Sequence, residues 1–215
     1  MAKSISTKVR DQELTLFGRK AIYWHEKKTL IVADTHWGKA EVFQQAGIPV
    51  PSTVLDSDLA DVTELVKESG ADRLLVLGDL LHSSKTLPLD VQRRIESWRF
   101  GTDLPILSIR GNHDAKASDF PQHWQIEWMN EPLIEGPFCF RHEPIETKGL
   151  FTWAGHVHPV IHIGRPRMRL PCYLLSESLG IMPSFGTFTG GHPVKPTMKD
   201  DVYVVAEGEV FCLTS

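Results

Sequence analysis

The chain has 215 residues, 41% of them hydrophobic and 23% charged, and a formal net charge of -4. That length buries a sizeable core, and the composition is that of an ordinary globular protein rather than a disordered or fibrous one. A slightly acidic chain does not coat duplex DNA by charge alone, and no apolar run is long enough to span a bilayer.

The opening "MAKSISTKVRDQEL" lacks the apolar stretch of a signal peptide. Cys139, Cys172 and Cys212 are widely spaced and form no CxxC pair. Reduced thiols and a cytoplasmic location are therefore expected. "LTLF" and "AIYWHEKKTLIVAD" predict strands, with the charged "HEKK" as a hairpin tip. Leu55, Leu59, Val62, Leu65 and Val66 recur at helical spacing up to Gly70, a C-terminal stop. "RLLVLGD" then reads as a strand buried on both faces, "PLDVQRRIESWRF" as a second helix, and "LPILSIRGNHD" as another buried strand. Short strands follow at "FCFRHEP", "LFTWAGHVHP", "RMRLPCYLL" and "VYVVAEGEVFCL", the last turning at Glu207 and Gly208. Helices alternate with strands early and strands dominate later, without repeats or a linker. Residues 1–215 therefore read as a single α/β domain, two sheets packed together with helices outside.

The polar residues stand where these strands end. "LIVADTH" closes with Asp34 and His36, and "LLVLGDLLH" with Asp79 and His82. "ILSIRGNHD" closes with Asn112, His113 and Asp114, "FCFRH" with His142, and "FTWAGHVH" with His156 and His158. A turn would account for the Gly, Asn and Asp of "RGNHD" but not for its histidine, nor for the repetition. Ligands of α/β sheets collect at the carboxyl ends of strands. Carboxylates that bridge two cations, with neutral imidazoles and an amide, suit manganese, iron or zinc without thiolate. In an extended segment Asp34 and His36 would share a face, as would His156 and His158.

The ordered set "DTH", "GDLLH", "GNHD", "RH" and "GHVH" resembles the calcineurin-like binuclear metallophosphoesterases. Within them, "TLIVADTHWGKAEVFQQAGIPVP" and "LPCYLLSESLGIMPSFGTFTGG" look like the bacterial DNA ligase-associated group, manganese-dependent DNA endonucleases encoded beside repair genes. The resemblance implies a four-layer α/β/β/α sandwich of two mixed sheets flanked by helices. It implies one divalent metal held by Asp34, His36, Asp79 and His158. A second would be held by Asp79, Asn112, His142 and His156, with Asp79 bridging; manganese is foremost, iron(II) or zinc the alternatives. Metal-held hydroxide would attack a phosphodiester of single-stranded DNA, with His113 as general acid, Asp114 orienting it and His82 aiding it or touching the phosphate. The resemblance also implies a functional association with a DNA ligase or helicase repair system, and no membrane.

Other residues carry looser expectations. His123 in "PQHW" is the substitute ligand should His142 fail. Lys39 meets a phosphate near a helix start. Arg165, Arg167 and Arg169 recur at period two, which in an extended segment lines up a phosphate track or else a charge-guarded edge. Trp37 either stacks a base or packs. The competing substrates are a small nucleotide or another phosphodiester or phosphomonoester, and the competing class is a metal-free scaffold.

Overall fold

The computed structural model describes residues 3–82, 87–114 and 121–213. The first sheet has seven strands in the order β1 (Ser4–Val9), β2 (Gln12–Phe17), β3 (Ile22–Trp24), β4 (Thr29–Val32), β5 (Arg73–Leu77), β6 (Ile106–Ile109) and β7 (Ile126–Met129). Pairing is antiparallel from β1 to β4 and parallel from β4 to β7. β4 is joined to β5 through α1 (Lys39–Gln45) and α2 (Val54–Ser69), and β5 to β6 through α3 (Leu89–Phe100).

Strand periodicity explains the layering. Leu30, Val32, Leu74 and Val76 point to one side, where they meet Leu55, Leu59, Val62 and Leu65 of α2 and Val91 and Ile95 of α3. Burying each α2 side chain contributes roughly 1.5–3 kcal/mol. Gly70, with φ +70°, closes α2, its N–H donating to the Val66 carbonyl at 2.9 Å. Arg94 ties the helices together, donating to Glu41 of α1 at 2.6 Å and Asp56 of α2 at 2.9 Å.

The alternate residues Ile31, Ala33, Leu75 and Leu77 face the second sheet. That sheet is formed by β8 (Leu133–Glu135), β9 (Phe138–Phe140), β10 (Phe151–Ala154), β11 (Pro159–Ile163), β12 (Met168–Leu175), β13 (Leu179–Ile181), β14 (His192–Pro193), β15 (Asp201–Ala206) and β16 (Glu209–Leu213). Phe138, Phe140, Phe151 and Trp153 fill the space between the sheets. The expected class holds: an α/β sandwich of two mixed sheets. The helical cover expected on both outer faces lies, among the described residues, on the first sheet. Outside the second sheet Cys172, Val202 and Val204 are covered by strand and loop side chains such as Ile161, Ile163 and Val194.

Candidate metal centre

The backbone keeps pairing beyond β4 and β5. The Asp34, His36 and Trp37 amides donate to the carbonyls of Gly78, Asp79 and Leu80 at 3.2, 2.9 and 2.9 Å, and the His82 amide donates back to Trp37 at 3.1 Å. The two loops are thereby held side by side at the carboxyl edge of the sheet. Asp34, His36, Asp79, His156 and His158 all have φ between +47° and +65°. Left-handed backbone is unfavourable for such residues, by about 1 kcal/mol or more each, and clusters where a site demands it. The pairs Asp34/His36 and His156/His158 therefore share a site through left-handed turns, not through the extended pleat expected from their spacing.

Close approach explains the glycines before Asp79, Asn112 and His156. A Cβ on Gly78 would overlap the His142 ring, one on Gly111 the Asp79 carboxylate, and one on Gly155 the Asp34 carboxylate. "GD", "GN" and "GH" are thus points where one of these loops rests on another.

The side chains form three overlapping groups: Asp34, His36 and His158; Asp34, Asp79 and His142; and His36, His82 and His113. Asp34 Oδ1 and His158 Nε2 lie 3.2 Å apart without forming a hydrogen bond, and both nitrogens of His36 are also buried without a partner. Unmade bonds at buried polar atoms are costly, of the order of 1–3 kcal/mol each, so a cation is the missing partner that fits this donor set. Two carbonyls fix the ring orientations. His142 Nδ1–H donates to Leu77 at 3.1 Å and His158 Nδ1–H to Gly190 at 3.1 Å. Each leaves Nε2, with its lone pair, turned into the cluster, as a metal-binding imidazole requires. His156 Nδ1 lies 3.0 Å from His142 Nε2, and the His156 amide donates to Asp34 Oδ2 at 2.9 Å. Burial, then the charge of Lys39, pushes the His36 imidazole down to about 2, so it stays neutral.

Asp34 is shared by two of the groups, while Asp79, the bridging residue implied by resemblance, joins His142 at 3.6 Å and faces His113 Nε2 at 3.9 Å. Asp79 Oδ1 accepts the His113 amide at 2.9 Å. Asn112 is exposed and takes its place from Gly111 and His113, both set against Asp79.

A sequence profile of the calcineurin-like phosphoesterases matches residues 27–190, which span every residue of these groups. The chain is a calcineurin-like phosphoesterase. Its structure superposes on the crystal structure of Pseudomonas putida nuclease MPE with a TM-score of 0.87 and 35% identity, covering 98% of this chain and 100% of that one. It is also 28% identical over 98 residues to the DNA double-strand break repair protein Mre11 of Archaeoglobus fulgidus, 45% of this chain but only 21% of that protein. The phosphoesterase thus matches about a fifth of the archaeal protein's length.

The remaining candidates of this phosphoesterase divide. The exposed ring of His113 stacks on His82, centroids 5.2 Å apart and planes 26° apart, and stands edge-on to His36 at 5.2 Å. Burial first, then Lys39 and His113, lowers His82 to about 4. Lys39 opens α1, half-buried; burial lowers its pKa while Asp34 and Asp79 pull it back up.

Asp114 departs from its expected role as the partner of the His113 ring. Its buried carboxylate accepts the amides of Leu80, Leu81 and Gly111 at 3.1 Å each, which makes it a brace between the Asp79 and Asn112 loops. Burial raises that carboxyl to about 6 against the pull of those amides. Trp37 is 1% exposed, edge-on to Trp98 in the helical core, so it packs and has no face for a base. His123 pairs with Glu96 of α3, away from the metal groups, while His142 is buried among them. Arg165 and Arg167 lie in the turn between β11 and β12, where period two no longer sets a common face. Only Arg169 is on the strand, and it donates to the Gly191 carbonyl.

Several supporting residues escape a reading of the sequence. Glu131 accepts the His142 amide at 2.7 Å, and Ser184 Oγ donates to the Asp34 carbonyl at 2.7 Å. Ser184 and Gly190 fall within "SFGTFTGG", a stretch marked only by resemblance; nothing local flags Glu131.

Proposed function

We propose that the protein is a two-metal phosphodiesterase that cuts single-stranded DNA endonucleolytically in repair, with manganese as its metal. Residues 1–215 act in this reading as one catalytic domain. Asp34, His36, Asp79 and His158 hold one ion, and Asp79, Asn112, His142 and His156 the other. The observation that carries the reading is the set of buried, unpartnered donor atoms on Asp34, His36 and His158, with the His158 ring and its neighbour His142 both preset so that Nε2 faces inward. Full-length likeness to a nuclease, at 35% identity, supports the substrate class.

Two divalent ions held there would polarise a phosphate and supply a nucleophile from water at neutral pH. The protein's own part is positioning and proton transfer. His113, exposed and fixed through its amide on Asp79, protonates the departing alkoxide; His82, stacked against it, limits its motion and faces the phosphate. Lys39 and Arg169 contribute positive charge along the backbone of the strand.

The test is a circular single-stranded DNA with metal-stripped protein, given manganese, magnesium, zinc or calcium in turn. Linearisation with manganese, lost in Asp79→Ala, is the expected result. An intact circle alongside metal-dependent hydrolysis of a small phosphodiester would discard the DNA substrate.

A further inference from the structure

The segment 184–191 is pinned to the metal residues at both ends. Ser184 Oγ donates to the Asp34 carbonyl, the Phe185 amide to Ala33 at 2.8 Å, and the Gly190 carbonyl accepts the His158 ring N–H. Between these anchors the Thr187 amide donates to Asp58 at 3.2 Å. The next residue, Phe188, is 37% exposed. It stands edge-on to Phe43 of α1, centroids 5.5 Å apart at 82°. Phe43 lies 6.0 Å from His82, and His82 stacks on His113. An aromatic row thus runs from the proton-donating ring outward to an exposed phenyl. Lys39, four positions before Phe43 on the same helix, lines one pocket together with His36 and Phe188.

A row of rings continuous with a phosphate-cleaving centre, with a cation beside it, matches one ligand chemistry: bases carried on a phosphate backbone. We propose that Phe188, backed by Phe43, is a stacking platform for a base a few nucleotides from the scissile phosphate. This rests on the single-strand nuclease reading and adds its determinant. A ring can take the face of a base only when that base is not already stacked in a duplex, so the platform selects single strands. The loop that aims Phe188 also orients His158 and Asp34, which couples the grip on the strand to the geometry of the metal centre.

A cycle of protein and substrate changes tests this. Manganese-dependent cleavage is measured for the wild type and Phe188→Ala on a labelled single strand, and on the same strand carrying abasic residues around the cut. Phe188→Ala is expected to raise KM on the base-bearing strand by roughly 5- to 150-fold, the span of one base–aromatic stack, with little change in kcat. Removing the bases should cost the wild type a similar factor, and the two losses together should not multiply. Phe188→Tyr should restore the low KM, and Phe188→Leu should not. Equal KM values for the wild type and Phe188→Ala, or losses that multiply, overturn the platform alone. A wild type inert on both strands overturns the nuclease reading and the platform with it.

Discussion

On the first sheet the candidate ligands follow β4, β5 and β6, three adjacent parallel strands, and the backbone bonds carry on past the strand ends from Asp34 to Gly78 and from Trp37 to Leu80. On the second sheet fewer backbone bonds follow the strand ends, the Gly155 amide to the His142 carbonyl at 3.2 Å and the His192 amide to the His158 carbonyl at 2.9 Å. Side-chain contacts add to them: Glu131 holds the His142 amide, and the Gly190 carbonyl the His158 ring. The first half is assembled by the sheet itself, so its geometry follows from strand pairing. The second half leans more on side-chain contacts between the sheets: Glu131, Leu77 and His156 hold His142, and the Asp34 carboxylate holds the His156 amide. Changes on the first side should therefore remove the centre, and changes on the second should loosen it.

The strongest way to break this contrast is Asp79→Ala, which strips a carboxylate that faces His142 and also anchors the His113 amide. Activity should fall on the order of 10³-fold or more, the scale of lost charge stabilisation at a metal centre. Metal content by mass spectrometry should drop with it; a fully loaded Asp79→Ala protein would contradict the assignment. Next comes His113→Ala, with a loss of roughly 10²–10⁴-fold on DNA, the worth of a positioned general acid. Metal content should survive, and substrates with good leaving groups should be largely spared; equal losses on both kinds of substrate would remove His113 from proton transfer.

On the second side, Glu131→Ala should weaken metal binding by roughly 10–100-fold, the usual cost of losing a group that positions a ligand. Excess manganese should restore its activity, and titration calorimetry would show whether the affinity has moved at all. The smallest effect sharpens the role of the pinned segment. Burial lifts the Asp58 carboxyl from 3.8 to about 6, so the folded state takes up its proton more readily than the unfolded chain. Its contribution is therefore fully favourable below about pH 4 and is lost as pH rises through about 6. Urea unfolding of the wild type and Asp58→Asn across that window should give a difference that changes with pH in this sense. A pH-independent difference would show that the carboxyl does not titrate there.

Much of the architecture is legible in the order of residues. β5 and β6 read as continuous apolar runs because both faces of a central parallel sheet are covered, and α2 is marked by its stripe of Leu55, Leu59, Val62 and Leu65 up to Gly70. β1, β7 and β11, with fewer buried side chains, carry weaker patterns and escape the same reading. By itself the sequence determined that Asp, Asn and His side chains stand at successive strand ends, each motif glycine beside them, because strand periodicity and turn chemistry act over a few residues. Only the tertiary structure decided which ring nitrogen of His142 and His158 faces the cluster, that Asp114 braces amides, that Trp37 is buried, and that Phe43 stands between Phe188 and His82. The physical reason is distance along the chain. The His156 amide meets the Asp34 carboxylate across 122 positions, a contact made by the packing of two sheets and encoded by no local pattern.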